Sequence, residues 1–190
     1  GYSEEWVTEA LGRGLTNVKK APEALNAYIT PETKKIFTRA GVLTERELVA
    51  RYHIKLENYY KKIQIEARVL GDIAINHIIP TAIKYQNLLI ENVRGMKEIF
   101  GKEYEKLAQH QLDSIREISS HIKAIQEKVF DMIEERKKAN VIEDTFEHAM
   151  QYCDRVKPYL EEIRSHVDQL ELMIDDELWP LPKYRELLQL

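Results

Sequence analysis

A single cysteine, Cys153, among 190 residues leaves no partner for an internal disulfide and rules out an all-cysteine metal site. Such sparing use of cysteine suits a cytoplasmic protein, the location expected here. Glycine and proline are also scarce, at 7 and 6 residues, too few for a turn-rich β protein or a flexible linker. No run of about 18 uncharged apolar residues occurs, so no membrane-spanning helix, and no membrane partner, is expected. Neither sign of charge dominates: 28 Lys and Arg stand against 32 Asp and Glu, a net charge of −4. Without a basic field, nucleic acid is not an expected partner. The opening Gly-Tyr-Ser-Glu-Glu-Trp has no initiating Met, no basic segment and no apolar signal core. It reads as the start of a segment excised from a longer chain, with Gly1 an added residue.

What is present is helix-forming. The chain is 44% hydrophobic and 32% charged, the profile of long amphipathic helices. Thr44 and Glu47 form a capping box, Thr-Glu-Arg-Glu, at the start of one very long helix. Apolar residues then recur at spacings of three and four from Tyr52 through Leu56, Tyr59, Ile63, Ala67, Leu70, Ala74 and Ile78. The phase continues past Pro80 as Ala82, Tyr85, Leu89, Val93, Met96 and Phe100. A proline there removes a hydrogen bond and crowds the preceding turn. The unbroken phase predicts a kink at Pro80, not an end, and Gly101 is the stop. A second helix is expected over about 102–139, ending at Asn140, and a third over about 143–178. The third carries the most regular pattern: Phe146, Ala149, Cys153, Val156, Leu160, Ile163, Val167, Leu170 and Ile174 alternate three and four as a heptad seam. Pro158 falls off that seam and should bend the helix outward.

Short connections at Gly101 and Asn140 make the neighbours antiparallel. The fold class expected is therefore all-α: an antiparallel bundle of three long helices over 44–178, the first kinked at Pro80. An N-terminal arm of short helices (1–43) precedes it and a proline-containing tail (179–190) follows. Ser3 should cap the first short helix, and Ala21-Pro22 and Thr30-Pro31 should open two more. At 1.5 Å per residue the first long helix would exceed the others by roughly 30 Å. That overhang, about 44–62, bears Tyr52, Tyr59 and Tyr60, and the arm or an adjacent domain should cover it. With Trp179, Leu181 and Tyr184 of the tail, these tyrosines are the candidate interaction surface.

Site chemistry is sparse. Ferritin-like di-metal sites need Glu-x-x-His on two helices, and no histidine here has a Glu three residues before it. Glu117 with His121, and Glu162 with His166, are four apart, the spacing of solvated helical pairs, with a ligand role as the alternative. Glu66, Asp72, Asn76 and His77 interrupt the most apolar part of the first helix and are expected to form a buried polar network. A metal or small-ligand site centred on Glu66, Asp72 and His77 is the alternative. Cys153, on the seam, reads as a packed small hydrophobe. Gly12-Arg13-Gly14 lacks the third glycine and the flanking strand of a dinucleotide loop and reads as a turn. No catalytic, cofactor-binding or metal residue is assigned.

Three stretches carry a resemblance: Lys62 through Asn87 with its Asn-His-Ile-Ile-Pro core, the opening Tyr-Ser-Glu-Glu-Trp with Pro22-Glu-Ala-Leu, and the closing Trp179-Pro-Leu-Pro-Lys-Tyr-Arg. Together they resemble the C-terminal region of type III glutamine synthetases, the long-subunit bacterial class, over essentially the whole chain. The resemblance implies a parent ligase that makes glutamine from glutamate and ammonia with ATP and a divalent metal, magnesium or manganese. It also implies that the β-grasp and barrel carrying that chemistry lie upstream, so that no cofactor is expected on this segment. The implied partners are the catalytic domain of the same chain and neighbouring subunits of a homo-oligomer. A free-standing helical interaction module is the alternative.

Overall fold

The computed structural model describes residues 3–188, apart from the side chains of Tyr184 and Arg185. The described secondary structure is entirely helical. Three short helices come first: α1 (Glu4–Gly12), α2 (Ala21–Leu25) and α3 (Pro31–Arg39). Each start has a local cause. The Trp6 amide donates to Ser3 Oγ at 3.3 Å, and the Thr33 amide donates to Thr30 Oγ1 at 3.2 Å. Pro22 and Pro31 sit in first turns, where a missing N–H costs nothing. Gly41 closes α3 with a positive φ of 65°.

Helix α4 (Glu45–Ile73) opens on the reciprocal box: the Thr44 amide donates to Glu47 Oε2 at 2.8 Å and the Glu47 amide to Thr44 Oγ1 at 3.3 Å. A π-turn (Ala74–Ile78) joins it directly to α5 (Ile79–Phe100). The proline is accommodated by this wide turn. Pro80 lies in the first turn of α5, and the Ile79 amide reaches back five residues to the Ala74 carbonyl. The third long helix repeats the device. Helix α8 (Thr145–Gln151) passes through a π-turn (Tyr152–Val156) into α9 (Lys157–Met173), and Pro158 again stands two residues beyond the turn. Between these elements lie a single helical turn, α6 (Tyr104–Leu107), and the long α7 (Gln109–Ala139). A last turn, α10 (Tyr184–Leu187), follows the two tail prolines.

Two boundaries and one side-chain phase differ from the periodicity reading. The second long helix is interrupted at Ala108, whose φ of −100° and ψ of 15° break the ladder between α6 and α7. The third ends at Met173, not near 178, because Ile174 turns extended and the Asp175 carboxylate accepts from the Glu177 amide at 2.7 Å. Two acidic residues at a helix C-terminus oppose its dipole, which favours that stop. In the π-turn each residue advances by fewer degrees than in an α-helix, so the three-four count loses its phase. Tyr152 is fully buried there, and Cys153, expected in the core, is half-buried. Leu160 and Val167 are half-buried, while Ile163 and Leu170 are fully buried.

The contacts divide the chain into two compact units, a different division from arm, bundle and tail. The first unit comprises the described residues through Lys62 together with Ile142–Cys153, so α8 packs with the short helices. Its core is Tyr52, Leu56 and Ala149, packed by Leu25, Tyr28, Ile29, Tyr59, Tyr60 and Phe146. The second unit comprises Ile63–Val141 and the described residues from Asp154 onward. Here α7 packs against both α5 and α9. Both pairings are antiparallel: Gln64 meets Asn140 and Gln86 meets Ser119, while Lys128 meets Glu162 and His121 meets His166. Gly71 is the close-approach point of α4 on α7, since a Cβ there would lie 3.5 Å from both Met132 and Val129. Leu170, wholly buried in this unit, should cost about 2–5 kcal/mol when replaced by Ala. The half-buried Leu160 should cost measurably less, and urea unfolding of the two variants side by side checks the order.

Candidate functional sites: an aromatic cluster, a histidine pair and a lysine cap

In the first unit Tyr60 of α4, His148 of α8 and Tyr152 of the following π-turn form one aromatic cluster. Tyr60 lies on the His148 ring at a centroid distance of 4.0 Å and an interplanar angle of 12°. Tyr152 flanks both rings, 5.9 Å from Tyr60 and 5.3 Å from His148. Burial holds the His148 imidazole below its ordinary pKa, against a weaker opposing hydrogen bond to the Ile142 carbonyl. Its Nε2 is buried without a hydrogen-bond partner. The Tyr52 hydroxyl donates to Asn26 Oδ1 at 2.8 Å, tying α4 to the residue after α2. Desolvation, with the Asp144 carboxylate nearby, raises the Tyr52 pKa.

The second unit joins α7 to α9 through polar groups. His121 Nδ1 and His166 Nδ1 are 3.0 Å apart. The ring centroids are 5.2 Å apart, close to the Nδ1 separation plus the two ring radii, so the nitrogens face each other head-on. That is a hydrogen-bond geometry, in which one Nδ1–H donates to the other ring's lone pair. Chelation of a metal would require both lone pairs to converge on one point beside that line. Burial, then the facing His166, lower the His121 pKa, and Glu117 opposes them. Lys128 pairs with Glu162 farther along the same two helices. Gln86 of α5 donates to the Ile115 carbonyl at 2.9 Å and to Ser119 Oγ at 2.6 Å.

Lys183 closes the C-terminal end of α9. Its Nζ donates to the Glu171 carbonyl at 2.8 Å and the Ile174 carbonyl at 3.2 Å. It also meets Asp176 Oδ1 at 2.5 Å and lies 6.0 Å from the Trp179 ring centroid. A cation on helix-end carbonyls bonds to them and complements the dipole. The two prolines turn the chain back so that Lys183 reaches this position, and its side chain is only 10% exposed.

The candidate residues from the sequence fall in different places. Tyr52 is buried, and Tyr59 and Tyr60 are half-buried against the same core, so these three hold the first unit together and do not form a free surface. Trp179 is buried at 7% exposure, Leu181 is exposed, and the Tyr184 side chain lies outside the described residues. Glu66, Asp72, Asn76 and His77 are all exposed, so they are not a buried network. Asp72 and Asn76 do share a hydrogen bond, at 2.6 Å. Among the described residues no group of three or more His, Cys, Asp and Glu is placed to hold a metal ion. Lys183, His148 and the His121–His166 pairing were not reached from sequence. The last had a signal: two Glu-x-x-x-His spacings on neighbouring helices.

Fold and polar joints together define an all-α domain in which polar side chains bond helix to helix. Residues 1–97 match the family described as "Glutamine synthetase C-terminal domain", and the chain belongs to that family. It is 52% identical over 189 residues to a glutamine synthetase of Bacteroides fragilis (strain YCH46) and 31% identical over 188 residues to one of Butyrivibrio fibrisolvens. It is 31% identical over 194 aligned positions to a type-3 glutamine synthetase of Dictyostelium discoideum. Each match covers 99% of this chain and 26% of the relative, so the chain spans about a quarter of their length. No helix among the described residues is long and apolar enough to cross a membrane.

Two outcomes follow from the joints. His121 and His148 stay neutral in the fold at pH values where the unfolded chain, near the ordinary pKa of about 6.5, takes up protons. Above that range neither state is charged and nothing is lost; below it stability falls as pH falls. The urea midpoint should therefore drop between pH 7 and pH 5. The double variant His121→Gln, His148→Gln should flatten that slope. Glu47 and Asp113, whose carboxyls are held low by hydrogen bonds, lose their contributions only at more acidic pH. Lys183→Met leaves two carbonyls without their donor and should cost about 1–3 kcal/mol, read as a lowered thermal midpoint.

Proposed function

We propose that this chain is a non-catalytic helical segment of a type III glutamine synthetase that serves subunit assembly and docking. The parent, on this reading, is a cytoplasmic homo-oligomer that forms glutamine from glutamate and ammonia with ATP and magnesium or manganese. The observation that carries the proposal is the 52% identity running over 189 residues yet covering only 26% of the relative. The bulk of such an enzyme, where its chemistry would be carried, lies outside a segment of this extent. The donor set within the segment supports the same reading. Carboxylates such as Glu162, Asp113 and Asp176 are engaged with lysine or arginine, and the two facing histidines bond to each other. Gly12-Arg13-Gly14 ends a helix in place of cradling a phosphate, with Gly14 at a φ of 76°. These residues do not fit a nucleotide or a catalytic divalent ion, and no reaction step is assigned to them.

The test compares the full-length polypeptide with a form lacking this segment. Expected are glutamine formation by the full-length protein and a changed oligomeric mass, by light scattering, in the truncated one. The 190-residue chain alone, given ATP, magnesium, glutamate and ammonia, should form no glutamine. Turnover by that chain would overturn the reading.

A further inference from the structure

The first unit presents an apolar strip along α1 and the residues after it. No residue of α1 is buried. Trp6, Val7 and Leu11 are 39%, 40% and 56% exposed, and Leu15 and Val18, just beyond the helix, are each 51% exposed. Trp6, Val7, Ala10 and Leu15 line a shallow groove of about 220 Å³ with Thr16 and Asn17. The polar side of the same helix is satisfied locally. Ser3 caps it, Glu4 and Glu5 occupy the first turn, and Arg13 pairs with Glu9 while its guanidinium lies over Trp6 at 5.9 Å. At nine residues the helix is shorter than the ~12–15 that are marginal alone in water. A helix this short draws most of its stability from packing an apolar face, and here that face is open.

Two quantities decide what covers it. Five half-exposed side chains offer on the order of 400 Å², taking aromatic and large aliphatic side chains at ~150–250 Å² or less each. A stable interface between free partners needs about 800 Å² a side. A tethered partner needs less, because a short connection supplies an effective concentration in the millimolar range. The relatives carry roughly three quarters of their length beyond the matched part, and the family is described as a C-terminal domain, which places that remainder ahead of α1 in the chain.

We propose that Trp6, Val7, Leu11, Leu15 and Val18 form the docking surface for the polypeptide that precedes this segment in the full-length protein. This rests on the reading that the segment belongs to such a longer chain. The strip is the joint between the helical segment and the body of the enzyme, with the Trp6 indole and Leu11 as its anchors.

The experiment uses the full-length protein with a benzophenone amino acid at position 11, irradiated and mapped by mass spectrometry. Cross-links from position 11 to upstream residues of the same polypeptide are expected. In the same protein Leu11→Asp should speed amide hydrogen exchange across residues 4–12 by about tenfold, since it removes the burial of the exposed part of one leucine and puts a charge in its place. Cross-links to a second copy, no cross-link at all, or exchange unchanged by Leu11→Asp would each overturn the docking proposal. If the native polypeptide has no upstream part, the proposed function fails with it. An upstream part that is present but unlinked sinks the docking alone.

Discussion

The second unit depends on the burial of one stripe of α7. Ile118, Ile125, Val129 and Met132 are all inaccessible or nearly so, and they face α4–α5 on one side and α9 on the other. Each fully buried aliphatic side chain contributes on the order of 1.5–3 kcal/mol. Four in one row outweigh the polar bonds beside them. The polar groups follow the offset that this packing sets. Gln86 on Ser119, at an exposed position, and His121 on His166, half-buried, each add one bond between a helix and α7 at that offset.

Both prolines inside the long helices are handled by the same device, and this explains why the chain tolerates them. A proline lacks the amide that an α-helix needs and crowds the carbonyl four residues back. A π-turn ending two residues earlier widens the helix ahead of each proline, and at the first one the hydrogen bond spans five residues, from the Ile79 amide to the Ala74 carbonyl. The helices stay continuous. Ile78 and Val156, each at the end of a π-turn, remain fully buried. The cost appears in the side-chain phase, which is where Tyr152 displaces Cys153 from the inward position.

In the first unit the organising contact is aromatic. Tyr52, Tyr60, His148 and Tyr152 bring α8 against the N-terminal half of α4, and α2 is added through Asn26 and the apolar contacts of Leu25, Tyr28 and Ile29. Burial of these rings raises the pKa of Tyr52 and lowers that of His148, in each case favouring the uncharged form. The unit therefore spends its tyrosines internally. Its exposed apolar side chains include Trp6, Val7 and Leu11 of α1 as well as Ile36, Val42 and Ile54.

Helix positions, caps and the inward stripe were legible in the residues. The Thr44–Glu47 box, the N-cap at Ser3 and the stops at Gly41 and Gly101 are local, set by interactions within about four residues, and the inward side from Ile63 to Ala82 follows from the spacing of its apolar residues. The family was legible too, because long specific stretches such as Trp179-Pro-Leu-Pro-Lys-Tyr-Arg carry more information than any spacing rule. Tertiary structure alone decided which polar groups meet. His121 finds His166 45 residues away, Tyr60 finds His148 across 88, and Lys183 folds back over two prolines onto α9. Spacing along one helix cannot encode such pairings. They depend on the offset between helices, which the close packing of side chains on both partners sets.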